Sequence, residues 1–151
     1  MIRIRPSRAE DLPRLFEVWR SAVDATHGFV APEDLAIIAT QVREHYLPTA
    51  VLHVAVAADD CPLAFMGMAD GMIESLFVDP AHHGRGIGRA LVEAARGTSR
   101  TLAVDVNEQN IGARGFYERL GFEVVARSEL DGSGMPYPIL HLREKNEDRR
   151  M

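Results

Sequence analysis

The sequence has few of the features that mark secreted, membrane-bound or nucleic-acid-binding proteins. Its 151 residues include one cysteine, Cys61, so no internal disulfide can form, which favours a reducing cytoplasm. No run approaches the roughly 18 apolar residues of a membrane span, and the first residues lack the apolar core of a signal peptide. Acidic residues outnumber basic ones by 22 to 17, whereas nucleic-acid binders usually carry a basic surface. These absences predict a cytoplasmic protein with no membrane or nucleic-acid partner.

The chain does have enough apolar sequence for one hydrophobic core. Hydrophobic residues make up 46% of it, and its length suits a single domain. We place that domain at residues 1–143 and a polar tail at 144–151. Strand-like and helix-like spacings of apolar residues follow the order β-α-α-β-β-β-α-β-α-β-β, which predicts a mixed α/β fold (an α+β mixed sheet). The second helix is predicted from Leu35 to Leu47 and to end at Pro48.

A glycine-rich segment, HHGRGIGRAL, stands between the predicted fourth strand and the next helix, with Gly84, Gly86 and Gly88 at alternate positions. It matches neither the G-x-x-x-x-G-K-[ST] loop nor the G-x-G-x-x-G dinucleotide fingerprint. Its backbone amides would nevertheless lie at a helix N-terminus, where unpaired donors and the helix dipole attract an anion. Arg85 and Arg89 add positive charge. We therefore predict a pyrophosphate site here, in preference to a tight turn with solvated arginines.

The glycine segment resembles the acetyl-CoA loop of the GNAT N-acetyltransferases, Q/R-x-x-G-x-G/A. The paired glycines correspond to Gly86 and Gly88, and His83 stands where the family has glutamine or arginine. That departure concerns one side-chain contact and leaves the backbone cradle intact. A second family signature follows in the right order, and its positions here are Asn110, Ala113, Tyr117, Gly121 and Phe122.

The resemblance extends over nearly the whole chain. The segments SAVDATHGF, VDVNEQN and GMPYPIL also look like the YjaB-like branch of bacterial GNAT proteins. The resemblance implies the GNAT fold, a single three-layer domain around a splayed central sheet. It also implies acetyl-CoA as cosubstrate, without a metal. The adjacent His82 and His83 lack further ligands, so they predict a loop and not a metal site.

The resemblance implies that the pantetheine arm of acetyl-CoA lies along the predicted central strand, MIESLFV, and bonds to its backbone like an added strand. The same amides would polarise the thioester carbonyl. Asn110 would bond to a pantetheine amide, cap its helix, or do both. The residues expected to contact the cosubstrate are Leu76, Phe77, Val78, His83, Gly84, Arg85, Gly86, Ile87, Gly88, Arg89 and Asn110.

Acetyl transfer to an amine needs a base, because an alkylammonium with a reference pKa near 10.4 is neutral in only about one molecule in 2500 at pH 7. Glu74 is the first candidate, since it precedes the donor-binding stretch by two residues; its alternative role is an ion pair or a solvated carboxylate. His27, between the first two helices, is the second candidate. His53, His82 and His141 have no supporting motif.

Tyr117 is the candidate general acid. A phenol with a pKa near 10 can protonate a departing thiolate, whose conjugate acid has a pKa near 8.5 by analogy with cysteine. Tyr117 stands on the apolar stripe of its helix, a position that also suits a core aromatic residue. The catalytic role is therefore implied by the resemblance and not by the spacing alone.

The predicted function is acetyl-CoA-dependent transfer of an acetyl group to a primary amine of a protein, peptide or small molecule, by direct attack in a ternary complex. Cys61 lies in a predicted hairpin turn, which does not suggest an acetyl-enzyme. The alternative is a non-catalytic acyl-CoA sensor of the same fold. A nucleotide phosphotransferase would need an ATP- or Mg²⁺-binding signature, which this sequence lacks. We expect a monomer or a homodimer. The first two helices, the THGFV loop and the segment LDGSGMPYP would line the acceptor side.

Overall fold

The computed structural model of the protein describes residues 2–97 and 101–145, and its elements follow the predicted order. The tail from residue 146 onward lies outside the described residues, and Glu144, which the sequence analysis assigned to that tail, is the last residue of a strand. The strands are β1 (Arg3–Pro6), β2 (Leu52–Val56), β3 (Pro62–Ala69), β4 (Met72–Val78), β5 (Ala103–Asn107), β6 (Phe122–Ser128) and β7 (Ile139–Glu144). The helices are α1 (Leu12–Thr26), α2 (Pro32–Gln41), α3 (Leu47–Thr49), α4 (Ile87–Arg96) and α5 (Ile111–Arg119).

The second helical segment is longer than predicted, and the prediction that it ends at Pro48 is wrong. It begins at Pro32, whose missing N–H is harmless in a first helical turn. It then passes through a π-helical stretch, Val42–Tyr46, directly into α3. Pro48 stands in the first turn after this change of register, where a residue without an N–H is again tolerated.

One sheet runs through the molecule in the order β1-β2-β3-β4-β5-β7-β6. The β4–β5 neighbours are parallel and the other five pairs of neighbours are antiparallel. The β4–β5 pairing consists of Met72 with Ala103 and Ile73 with Val104. Beyond Ile73, β4 pairs with β3, and beyond Val104, β5 pairs with β7. The sheet is therefore splayed at its centre, as the resemblance implied.

A β-bulge lies at the start of the splay. In the β3–β4 pairing Met68 faces Ile73, but Gly67 faces Ser75, so Glu74 is an extra residue on β4. A bulge bends its strand and redirects the side chains that follow it. This irregularity brings Glu74 and Ser75 to the point where the two halves of the sheet separate.

Hydrophobic cores lie on the two faces of the sheet. On one face, α1 and the segment from α2 to α3 pack against the sheet, and Leu15 of α1 and Phe65 of β3 belong to this core. On the other face, α4 and α5 pack against the sheet, and Leu91 of α4 shares this core with Ile73 and Val104 of the strands. The result is the predicted three-layer domain, with helices on both sides of a central sheet.

Candidate active site

The donor side starts with a well-anchored turn after β4. The Asp79 carboxylate accepts hydrogen bonds from the Ala81 N–H (3.0 Å) and from Arg14 Nη2 of α1 (2.7 Å). Burial alone would raise the pKa of Asp79, but these two donors and the Arg14 charge lower it. Arg14 also donates from Nε to the Pro62 carbonyl (2.9 Å). The chain therefore enters the glycine segment from a fixed position.

Gly84 and Gly86 adopt left-handed backbone conformations, with φ of 79° and 77°. A Cβ on either of them would meet no other atom within 4 Å. Gly86 is the N-cap of α4, so the amides of the first helical turn face the same open space. An exposed helix N-terminus approached by side-chain-free backbone fits a pyrophosphate group.

Gly88 serves a different purpose from its neighbours. A Cβ there would lie 3.2 Å from Phe116 Cζ and 3.8 Å from Val78 Cγ2. Gly88 thus lets α4 pack closely against α5 and β4. The Ile87 side chain is also buried in the core, at 2% exposure, so only its backbone faces the donor side.

Side chains around the glycine segment supply positive charge at its surface. Arg85 Nη1 lies 3.0 Å from His82 Nδ1. Arg89 is 69% exposed and lies 4.0 Å from Glu93 of the next helical turn. His83, at the position of the family's glutamine or arginine, is exposed as well. These side chains can neutralise an anion without being held tightly beforehand.

The central strand presents backbone, and not side chains, to the splay. Leu76, Phe77 and Val78 pair with β3 along one edge of β4. The Phe77 ring packs against Phe65 on the α1 face, with ring centroids 5.6 Å apart, while Leu76 and Val78 pack into the opposite core. The other edge of β4, beyond its pairing with β5, faces the opening.

Tyr117 and Asn110 hold the α5 side of the opening. Tyr117 is 5% exposed and packs edge-on against Phe116 and Phe122, with centroid distances of 5.0 and 5.4 Å. Burial raises the pKa of Tyr117 above that of a free phenol, so the hydroxyl stays protonated near neutral pH. Asn110 Oδ1 accepts a hydrogen bond from the Ala113 N–H (3.1 Å), which is the helix-capping role.

The THGFV loop and the LDGSGMPYP segment, which were both predicted to line the acceptor side, are in contact. The Tyr137 hydroxyl donates to Asp34 of α2 (2.5 Å) and accepts from the Ala31 N–H (3.0 Å). The Phe29 ring lies between His27 and Tyr137, with centroids 5.2 and 6.2 Å away. The segment between β6 and β7 is thereby tied to the loop between α1 and α2.

His27 is the C-cap residue directly after α1, and it lies in a depression that Arg20, Asp24 and Leu35 also line. Its Nδ1 is 2.7 Å from the Thr26 hydroxyl. Burial lowers the pKa of His27, which keeps its imidazole neutral and able to accept a proton. A neutral imidazole is the form that a general base needs.

Glu74 is exposed at the bulge, next to a polar network that the sequence analysis did not identify. The Tyr46 hydroxyl lies 2.6 Å from Ser75 Oγ, which accepts a hydrogen bond from the Gly67 N–H (3.1 Å). Burial raises the pKa of Tyr46; the Ser75 bond opposes this shift and the nearby Glu74 carboxylate adds to it. Glu74 is thus the chain neighbour of Ser75, which belongs to this network. The polar role of Tyr46 had only a weak signal in the sequence, since a tyrosine in a helix usually indicates packing.

A second network lies on β5, β7 and β6. His141 Nδ1 is 2.7 Å from Asp105 Oδ1, and His141 Nε2 is 2.7 Å from Ser128 Oγ. Val104 and Val106 face the core under α4 and α5, so alternation places Asp105 on the opposite face. His141 has no motif in the sequence, because its partners are 36 and 13 residues away.

Other candidate groups lie away from these networks. Cys61 is in the turn between β2 and β3, where its N–H donates to Asp59 (3.0 Å). Among residues 2–97 and 101–145, no group of three or more His, Cys, Asp or Glu side chains is placed to hold a metal ion. In the part of the chain that the structure describes, no helix has the length and apolar content to cross a membrane.

Comparison with protein families gives one domain match. The acetyltransferase (GNAT) domain model matches residues 25–124. The peptidyl-lysine N-acetyltransferase YjaB of Salmonella typhimurium is 45% identical over 94% of this chain and 97% of its own length. The YjaB of Escherichia coli K12 is 44% identical, over 94% of this chain and 96% of its own.

Solved structures agree with this match. The solution structure of apo YjaB from Escherichia coli has a TM-score of 0.92 at 42% identity and covers 97% of this chain and 99% of its own. A PaiA N-acetyltransferase from Thermoplasma acidophilum, solved with coenzyme A, has a TM-score of 0.78 at 22% identity and covers 96% and 99%. At that identity the second likeness concerns the fold alone.

Proposed function

Since the chain belongs to the GNAT acetyltransferase family and is an N-acetyltransferase that moves an acetyl group to an amine, we propose that its acceptor is the side-chain amine of lysine in a protein or peptide. The observation that carries this proposal is the 45% identity to a relative named peptidyl-lysine N-acetyltransferase, which extends over 94% of the chain. The non-catalytic sensor is not favoured, because both YjaB relatives are named for transfer.

Acetyl-CoA is the donor that family membership implies, and the donor side fits it. Gly84 and Gly86 leave open space at the N-terminus of α4, where the pyrophosphate would bind, with Arg85 and Arg89 beside it. The free edge of β4 at residues 76–78 would hold the pantetheine arm through backbone hydrogen bonds. The side-chain amide of Asn110 keeps its NH₂ group for the same arm while its oxygen caps α5.

The acceptor side suits a cationic amine on a flexible chain. Glu74 and Asp105 lie on the two strands that separate at the splay, each one residue beyond the last β4–β5 pair, Ile73 with Val104. Carboxylates at this position attract an ammonium group. The Tyr137–Asp34 contact closes the outer wall of this side. A lysine side chain is long and thin enough to reach the sheet beneath such a wall.

The proposed mechanism is direct attack of the neutral amine on the thioester in a ternary complex. Tyr117 would donate its phenolic proton to the departing thiolate, which its raised pKa and buried position support. Glu74 and His27 are the proposed bases from the sequence, and the Asp105–His141 pair is a third candidate. Every group named here lies in one chain, so a monomer or a homodimer would serve. The single cysteine supports our placing this activity in the cytoplasm.

The test is acetylation of a peptide that carries one lysine and a blocked N-terminus, followed by mass spectrometry in the presence of acetyl-CoA. We expect one acetyl group on the lysine side chain. The matched control peptide has arginine in place of the lysine and should gain nothing. Acetylation of small alkylamines or of free peptide N-termini, with the lysine peptide unmodified, would overturn the proposed acceptor and leave the acetyltransferase assignment intact.

A further inference from the structure

The hydrogen-bonded chain of Asp105, His141 and Ser128 has the geometry of an oriented acid–base group. Both contacts of the imidazole are 2.7 Å long, one from Nδ1 to Asp105 Oδ1 and one from Nε2 to Ser128 Oγ. The three side chains come from β5, β7 and β6, neighbouring strands of the sheet. A rigid sheet therefore fixes all three, in contrast to a loop-borne group.

The chain ends at the splay, where the acetyl group and the amine must meet. Val104 pairs with Ile73 in the last described pair between β4 and β5, and Asp105 is the next residue along β5. Its carboxylate lies on the face away from the α4 and α5 core, because Val104 and Val106 on either side of it belong to that core. Asp105 is 38% exposed, so an entering amine can reach it.

We propose that Asp105 is the catalytic base of the acetyl transfer and that His141 and Ser128 are positioning residues for its carboxylate. This inference rests on the proposed function. The Asp105 carboxylate accepts, so it favours the His141 tautomer with the proton on Nδ1, and in that neutral tautomer Nε2 accepts from the Ser128 hydroxyl. The arrangement leaves Asp105 Oδ2 for the amine. Glu74, exposed on a bulge, then contributes by attracting the ammonium group.

The proton steps balance as follows. An N–H bond of the lysine ammonium breaks, its electron pair stays on nitrogen, and the proton bonds to Asp105 Oδ2. The nitrogen lone pair attacks the thioester carbonyl, and the C–S bond breaks as the intermediate collapses. Tyr117 gives its proton to the thiolate, and the second proton lost by the nitrogen restores the phenol. Asp105 returns its proton to the solvent that reaches its exposed side chain.

Other charged groups surround this site. Glu74 is the next residue along β4 after Ile73, as Asp105 is along β5 after Val104, and Arg143, two residues beyond His141 on β7, stands on the same face as His141. Arg143 pairs in register with Glu123 of β6. A pH profile of the reaction must therefore be compared between variants that leave these charges unchanged.

The test compares pH–rate profiles of the wild type, Asp105→Asn and Glu74→Gln. We expect Asp105→Asn to lower kcat about 100-fold at pH 7 without changing the KM for acetyl-CoA, as for a lost general base. Its rate should then rise about tenfold per pH unit toward pH 10, because the free amine becomes abundant. Glu74→Gln should raise the KM for the amine and show no such recovery. Asp70→Asn, in the β3–β4 turn, is the matched control and should behave as wild type.

The positioning roles have their own readout. His141→Leu should lower kcat about tenfold, while His141→Asn, whose amide can replace the Nδ1–H donor, should restore most of it. Ser128→Ala should have the smallest effect. A wild type that is active while Asp105→Asn keeps kcat within about threefold, or pH recovery in Glu74→Gln instead, overturns this inference alone. A wild type inactive on both lysine peptides and alkylamines overturns the proposed function and the inference together.

Discussion

Gly86 on the donor side and Gly67 on the acceptor side serve opposite purposes. A Cβ on Gly86 would meet nothing within 4 Å, and its φ of 77° suits glycine. A Cβ on Gly67 would overlap the Tyr46 hydroxyl and the Ser75 hydroxyl. The first glycine leaves space for a ligand, and the second leaves space for a side chain of the protein itself. The proposed donor side is thus formed by exposed backbone, and the proposed acceptor side by packed side chains.

The two sides also differ in how far apart their parts lie along the chain. The donor cradle is one segment, from the end of β4 to the first turn of α4. The acceptor side joins Tyr137 to Asp34 across 103 residues and Tyr46 to Ser75 across 29. A contiguous backbone site can be disrupted by one local change, whereas a site of distant side chains is altered in graded steps.

Gly86→Asp should have the largest effect, because it places a side chain and a negative charge in the pyrophosphate cradle. We expect calorimetry to show that acetyl-CoA binding is weakened at least about 100-fold, because the carboxylate repels the pyrophosphate and occupies its space. Gly132→Asp adds the same charge where a Cβ also meets no atom within 4 Å, and it should bind acetyl-CoA normally. Equal binding by the two variants would show that the glycines only form a turn.

Tyr117→Phe tests the boundary between the two sides. Removing the phenolic proton donor should lower kcat about 100-fold while leaving acetyl-CoA affinity unchanged. In the wild type, the raised pKa of Tyr117 keeps the phenol protonated, so its ionisation should not lower kcat up to about pH 10. Unchanged turnover in the variant would contradict the acid role and assign Tyr117 to the core alone.

Gly67→Ala should disturb the packing of the proposed acceptor side. The added methyl group displaces the Tyr46 hydroxyl from Ser75, and overpacking of this kind costs about 1–3 kcal/mol of unfolding free energy. Urea denaturation would measure that loss, and the KM for the amine should rise while acetyl-CoA binding persists. Tyr46→Phe, which removes only the hydroxyl, serves as the control. A Gly67→Ala variant as stable as wild type would mean that Tyr46 moves freely.

Tyr137→Phe should have the smallest effect. It removes the hydrogen bonds to Asp34 and the Ala31 N–H but keeps the ring against Phe29. We expect about a threefold rise in the KM for a lysine peptide, equivalent to part of one hydrogen bond, with no change in acetyl-CoA affinity. A large fall in kcat would instead indicate that the hydrogen bonds of Tyr137 orient the reacting groups.

The prediction from sequence was accurate where local chemistry decides structure. The order of strands and helices followed from apolar spacing, and the glycine segment with its Asp-Pro turn lies at the N-terminus of α4 as expected. It was wrong at Pro48, because a π-helical stretch changes the register and lets the helix continue. No single-sequence pattern signals such a change, since it depends on packing against the sheet.

By itself the sequence predicted the order of strands and helices and a glycine segment at a helix N-terminus, because glycine torsions, helix caps and apolar periodicity act within a few residues. Its two signatures also carried the resemblance to the GNAT family. The tertiary structure alone decided where the sheet splays, that Glu74 stands on a bulge, and that His141 meets Asp105 and Ser128. These features depend on strand register, which is fixed by the cores on both faces of the sheet. For this reason a histidine without a motif became the group that orients the proposed base.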